Sequence, residues 1–320
     1  MRLKRILAVL MVTLLAFSFS SCNGKLALFI NAKSGDSYKY HVEVNQTTNV
    51  EYGEETSKNA QNMVTDFIIT VDDVDSEGNL AMSYKYDAIR IDSESGGSKQ
   101  TIDSKNADSE DPFSELYNSF IGKGFSVKMN KFGEVKEVNG VDELFDSMLA
   151  SLGIDEDEDS QEFIEAMKEG LKDSYGEQAL KSTIEQSTKV FPQMGNIKVG
   201  DSWTVDNSFN SITNIDIKIT YTLEKVEGNI AHISVKSDIE TDGSKTNNYM
   251  GMEMSADLSG KMTGIIKVNI NNGFLSEGEI EQEISGKMNL MMPEIDGSEG
   301  ESIELPMSFT TKATYSTTKM

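Results

Sequence analysis

Tyr38, Tyr40, Val42 and Val44 alternate with Ser37, Lys39, His41 and Glu43, so every second side chain from residue 37 is apolar or aromatic. Alternation of period two predicts a strand with one face in a core and the other in water. The pattern returns at Ile215, Ile217, Ile219, Tyr221 and Leu223, set against Asp216, Lys218, Thr220, Thr222 and Glu224, and again at Ile266, Val268 and Ile270. Glu77-Gly78-Asn79, Phe132-Gly133, Glu227-Gly228-Asn229 and Asn271-Asn272-Gly273 supply turns between such runs. An antiparallel meander is expected.

In the middle of the chain the period becomes helical. Val141, Leu144, Phe145, Met148, Leu149 and Leu152 fall on one stripe, and Phe163, Ile164, Met167 and Leu171 on a second, with Ser160 placed to cap it. Leu180, Thr183, Ile184 and Phe191 suggest a third helix ending near Pro192, and Asp111-Pro112 opens a short one carrying Phe113, Leu116 and Phe120. Each is apolar on one side and must lie against a sheet.

The two strand-rich regions echo each other. Gly35-Asp36-Ser37-Tyr38 matches Gly200-Asp201-Ser202-Trp203, and Val71-Asp72-Asp73-Val74 before Gly78-Asn79 matches Leu223-Glu224-Lys225-Val226 before Gly228-Asn229. Phe125 to Asn130 before Gly133 parallels Ile265 to Ile270 before Gly273. The matches are short, and two unrelated meanders share such features by chance as well as by duplication. Leu80, Met82 and Tyr84 share one face, whereas Ala231, Ile233 and Val235 do so in the second copy; a bulge or a one-residue slip reconciles them. The expected fold is α+β: a mostly antiparallel curved sheet, an open or half barrel with two related halves, packed on a central group of amphipathic helices. The expected division is residues 26–138 for the first β half, 139–192 for the helices and 193–320 for the second β half.

The chain opens with Arg2, Lys4 and Arg5, then an uncharged apolar run from Ile6 to Phe17, then Phe19-Ser20-Ser21-Cys22. This is the pattern of a secretory signal peptide over residues 1–21. The run is shorter than the roughly 20 residues a helix needs to cross a bilayer. Phe19-Ser20-Ser21-Cys22 resembles a bacterial lipobox, which implies cleavage before Cys22 and lipid on its thiol; residues 22–320 would then be a membrane-anchored mature protein. Cys22 is the one cysteine, so no internal disulfide can form. The residues after it carry no acidic run, which suggests a periplasm-facing protein in the cell envelope.

The formal charge is −24, and loss of Arg2, Lys4 and Arg5 carries it to −27. Such a charge disfavours nucleic acid as a partner. The succession of lipobox, Gly-Asp-Ser-Tyr strand, Phe125-Ser126-Val127 with Gly133, helices and Gly200-Asp201-Ser202-Trp203 resembles an uncharacterised family of Bacteroidetes-type lipoproteins. More distantly, the plan is similar to lipoprotein-carrier-like folds, which implies a curved sheet wrapped over helices around an apolar cavity.

Catalytic signatures are missing. His41 and His232 stand on polar strand faces without a motif, and the sequence holds no H-E-x-x-H, G-x-S-x-G or P-loop. Asp155 to Asp159 begins like a calcium loop, but Ser160 and Ala166 stand where its glycine and last glutamate belong. An enzyme, a metal site and a cofactor are therefore not expected. Glu277, Glu279, Glu281 and Glu283 share a strand face that must be solvated or neutralised by cations. Methionine alternates at Met250, Met252 and Met254 and, with Leu290, at Met288 and Met292. Ordinary core packing would use such residues too, but flexible thioethers also suit a cavity for varied apolar shapes. These five are the candidate cavity lining. A lipid or other apolar ligand between sheet and helices is the leading expectation. An accessory interaction subunit of an envelope complex, with a filled core, is the alternative.

Overall fold

A computed structural model describes residues 25–53, 55–106, 114, 117–151, 176–193, 196–210, 214–244, 246–249, 252–291 and 302–320. The signal segment with Cys22, Met250, Met292, the Phe163–Leu171 stripe, the acidic run and the start of the Pro112 helix lie outside them, as do the side chains of Met148, Leu149 and Met252.

The chain runs β1 (Ser37–Tyr52), β2 (Glu55–Val74), β3 (Leu80–Ser95), β4 (Ser98–Asp103), β5 (Gly124–Met129), β6 (Val135–Asn139), α1 (Val141–Ser151), α2 (Glu177–Thr188), β7 (Ser202–Asn210), β8 (Asn214–Glu227), β9 (Ile230–Glu240), β10 (Asn247–Tyr249), β11 (Met252–Asn269), β12 (Leu275–Met291) and β13 (Ser302–Lys319). The predicted meander is there, as one curved sheet. Its order is β6-β5-β3-β2-β1-β13-β12-β11-β9-β8-β7, with β4 beside β3 and β10 beside β11. The last strand, β13, lies between β1 and β12 and joins the halves.

Both halves repeat the same backbone pattern. The Gly35 amide donates to Val71 O and the Gly200 amide to Leu223 O; Val71 N donates to Asp36 O and Leu223 N to Asp201 O. Asp36 and Asp201 each accept, through Oδ2, from the amide three residues back, at 3.1 and 3.0 Å. Gly35 and Gly200 take φ of +86° and +92°, a left-handed conformation that glycine alone adopts cheaply. The hairpins β2–β3 and β8–β9 even share a bulge, after Val71 and after Leu223. Leu80, Met82 and Tyr84 therefore correspond to Ala231, Ile233 and Val235. The one-residue slip comes from the turn: five residues separate Val74 from Leu80, four separate Val226 from Ala231.

The edge strands β6 and β7 are not hydrogen-bonded to each other, and α2 lies between them. Glu185 accepts from the β6 edge amide of Val135 at 2.8 Å, and Thr188 Oγ1 donates to Gly133 O at 2.8 Å. On the other side Lys189 Nζ donates to the β7 carbonyl of Asp206 at 2.9 Å, and Trp203 Nε1 to Val190 O at 2.9 Å. The helix thus stands in for a missing strand and shields two edges that would otherwise invite pairing with other chains. It ends at Thr188, before Pro192, because Phe191 is drawn into the core from the following segment. Thr183 leaves the predicted stripe: it is exposed and its hydroxyl donates back to Ala179 O. In α1, Val141, Leu144 and Phe145 are buried as the stripe predicts.

Candidate functional site

The inside of the curled sheet is filled at one end. At that base Tyr38, Met82, Leu223, Ile233 and Val268 meet Leu28 and Ile30 of the N-terminal segment, Leu144 and Phe145 of α1 and Ile184 of α2. Ile30 N donates to Lys131 O and Asn31 N to Asn272 O, so this segment ties together the corresponding turns of the two halves. Above the base the strands run on. At about 3.3 Å per residue, β1 and β2, of sixteen and twenty residues, rise roughly 50 to 65 Å. Helices of eleven and twelve residues rise only about 16 to 18 Å. The two described helices cannot line such a height.

The inner face is apolar along one side, from Ala313, Ile280 and Ile284 at the edge of the core to partly buried residues past it. Ile280, Ile284, Met288 and Leu290 of β12 lie beside Ala313, Phe309, Leu305 and Ile303 of β13 in direct register. Across β12, Ile280 faces Gly264 and Ile284 faces Gly260. A Cβ at Gly260 or Gly264 would stand 2.2 or 2.4 Å from a β12 carbonyl oxygen, so the strands approach there as only glycine allows. A polar row crosses this face: Gln61, Gln46, Thr311, Gln282, Met262 and Ser237 pair in sequence across six strands. Near the tips of β1 to β3, Thr48, Asn59, Gln61, Ser93 and Ser95 line a shallow polar cleft of about 250 Å³. The lumen is therefore amphipathic: apolar along β12–β13, and on β2–β3 apolar around the buried Ile89 and Ile91 and polar near the strand tips.

Two of the five candidate methionines come together at the rim of the apolar side. Met254 is buried and pairs with Leu290; Met288 is half-buried and pairs with Ala256 and Leu305. The backbone of Met252 pairs with Tyr249. The glutamates of β12 occupy the outer face, where Lys267 pairs with Glu277 and Lys312 reaches Glu279 at 2.9 Å and Glu281 at 3.1 Å. His41 and His232 are also outside, though neither is merely solvated: His41 meets Asp66 at 2.6 Å and His232 meets Glu227 at 3.2 Å. Sequence reading missed the polar row. Its signal was present, since Gln46 and Gln282 sit in the apolar phase of their strands.

The tyrosines between base and lumen carry no charge. Burial pushes the hydroxyls of Tyr40, Tyr84 and Tyr221 far above their ordinary value, raises that of Tyr315, and pushes that of Tyr86 up to about 12. They can donate hydrogen bonds but cannot act as bases near neutrality. Among the described residues no three His, Cys, Asp or Glu side chains gather as metal ligands, and no helix is long and apolar enough to cross a membrane.

A model of a family of unknown function, DUF6263, matches residues 77–275. No curated protein matches the sequence. Among solved structures, one of lipovitellin, described for its lipid–protein interactions, overlaps 89% of this chain with a TM-score of 0.48 and 8% identity. The chain spans about a quarter (25%) of that protein's length. OccK5 of Pseudomonas aeruginosa overlaps 90% of this chain and 100% of its own, with a TM-score of 0.21 and 7% identity. Neither overlap bears on what the chain binds.

Proposed function

The chain belongs to the family of unknown function DUF6263, and with no activity to inherit we propose, from its own sheet, a non-enzymatic cell-envelope lipoprotein. In this reading the acyl part of a lipid, or another apolar ligand, lies along the inner face of the half-barrel. One observation carries the reading: the apolar strip of Ile280, Ile284, Met288, Leu305 and Phe309 is only partly buried inside a curved sheet, starting at the edge of the core with Ile280 and Ile284 and continuing past it through Phe309, Met288 and Leu305. Each methylene moved from water onto such a surface contributes about 0.8 kcal/mol. A chain of many methylenes therefore binds without any specific polar partner.

The anchor supports the same arrangement. Lys25, the first described residue, follows Cys22 by three positions, and Leu26 is bridged to Ile197 at the base. At no more than about 3.6 Å per residue, lipid on Cys22 would hold the base within roughly 14 Å of a bilayer. The open rim would then face away from that membrane, into the periplasm, where a ligand could be received or passed on.

The test is titration of a fluorescent fatty acid into the full chain carrying Cys22→Ser. Met288→Glu places a carboxylate on the strip and should weaken binding at least about tenfold. Glu253→Lys alters an exposed position of β11 and should leave binding unchanged. Trp203, bonded to Val190 O and stacked on Tyr221 at 5.9 Å, reports folding by its emission. Equal affinities for all three proteins would overturn the site. No binding by folded protein would favour the accessory-subunit reading.

A further inference from the structure

A second cavity, of about 720 Å³, opens at the seam between α2 and the strands β7 and β8. Its walls do not resemble the rest of the surface. In a chain of 53 acidic and 29 basic residues, Lys181, Lys189 and Lys218 all line this one cleft. Three acids line it too, and all three are engaged, two of them by Lys189 and Lys218 of the same cleft. Glu185 accepts from Val135 N and stands 3.8 Å from Lys189, and Asp206 stands 3.6 Å from Lys218. Asp216, the third, also has an interaction partner. Lys181 has no ion-pair partner among the described residues.

The floor holds the decisive group. Asn207 stands in the apolar phase of β7, after Trp203 and Val205, and pairs with Ile217 of β8. It is 4% exposed, and its Nδ2 has no hydrogen-bond partner. A buried amide donor left unpaired costs about 1–3 kcal/mol, so native proteins rarely keep one without a use. Asn207 lines the cleft together with the three lysines, while its Nδ2 is turned away from the open space and closed off from solvent. Turned toward the cleft by rotation of the amide, an unpaired N–H beside ammonium groups is complementary to an oxygen that is both an acceptor and negatively charged.

We propose that the seam cleft binds an anionic oxygen group, a carboxylate or a phosphate, as the head of the acyl ligand held by the inner face. Anion binding stands on the cleft alone; its identification with a lipid head rests on the reading above. The geometry joins the two. From Asn207 and Ile217 the same face continues through Ile239, both isoleucines covered in the core, to Gly260, then Ile284, then Phe309, each of the last three pairings in direct register. Five strand steps of about 4.8 Å make a path of roughly 24 Å, on the order of a long fatty acyl chain. Gly260 contributes no side chain to that path. The head would sit at the seam, where the sheet is not hydrogen-bonded shut, and the tail would part the packing over Ile217 and Ile239 to cross toward β13.

Calorimetry on the full chain carrying Cys22→Ser separates the parts. The probes are palmitic acid, its alcohol, hexadecyl phosphate, and inorganic phosphate or acetate alone. The acid and the alkyl phosphate should bind roughly ten- to a hundredfold tighter than the alcohol, the range of a charge-assisted hydrogen bond. Asn207→Leu and Lys181→Gln should each reduce the acid toward the alcohol's affinity while leaving the alcohol unchanged. Asn207→Leu should not lower the thermal midpoint, since it removes a donor that has no internal partner; a clear drop would mark Asn207 as a structural residue and overturn the assignment. Equal binding of acid and alcohol, or a difference that survives Asn207→Leu, would remove the head site and leave the acyl reading standing. Binding of inorganic phosphate that depends on Asn207, with no binding of any lipid, would keep the anion site and remove the acyl reading. No binding of any probe would remove both.

Discussion

Asp66 has the most constrained charge on the outer face. It sits at a bulge where Asp66 pairs with Ala88 and Phe67 with Tyr86, and it is 9% exposed. Burial alone would raise its carboxyl pKa, but hydrogen bonds from His41 at 2.6 Å and Lys39 at 3.0 Å outweigh it and hold the value below the ordinary 3.8. The folded pKa is thus depressed, so the carboxylate contributes stability above the ordinary value and loses it as pH falls through the folded one. Asp66→Asn should flatten the acid limb of the stability curve: on going from about pH 6 to about pH 3, wild type should lose more denaturant resistance than the variant. Identical losses would mean the ion pairs are inert. Sequence alternation placed His41 outside but could not show this contact, because the β1–β2 register that sets Asp66 opposite it is not written in the alternation.

At the scale of elements, the seam decides whether the half-barrel stays closed. Glu185 and Lys189 are one helical turn apart and serve opposite strands, one as acceptor for β6 and one as donor to β7. Glu185→Ala should cost about 1–3 kcal/mol, because it leaves a half-buried backbone donor unsatisfied. The loss should appear as faster amide exchange at Val135 with little change in the centre of the sheet. Uniform acceleration across all strands would instead make α2 part of a single cooperative core. Strands were legible because burial on one face writes a period of two into Ile217 to Leu223 and Tyr38 to Val44. The duplication was legible because the Gly-Asp-Ser corner needs glycine's left-handed backbone and aspartate's short acceptor. What joins the halves was not legible. Pairing of β13 with β1 links residues up to 281 positions apart (Tyr38 with Lys319), and local pattern carries no such register. Asn207 was missed for another reason: a single polar residue in an apolar phase reads as noise until its burial is seen.

The whole molecule is a curled sheet with a plugged base, a helix-bridged seam and an amphipathic lumen, carrying a formal charge of −24. Its base is tied by the segment that follows Cys22, so the proposed anchor and the closure of the base would meet at one end. Cys22→Ser should release the protein from the membrane fraction without altering its thermal midpoint, because the anchor precedes every described strand. Retention in the membrane pool without acyl label would show that something other than lipid holds it there. The central claim, that the lumen holds an acyl ligand, is tested most directly by native mass spectrometry of the full Cys22→Ser chain after detergent-free purification. The account predicts a second species heavier than the bare chain by the mass of one acyl lipid, lost on collisional activation and depleted in Met288→Glu. A single species at the mass of the bare chain, persisting after incubation with fatty acids and phospholipids, would contradict it.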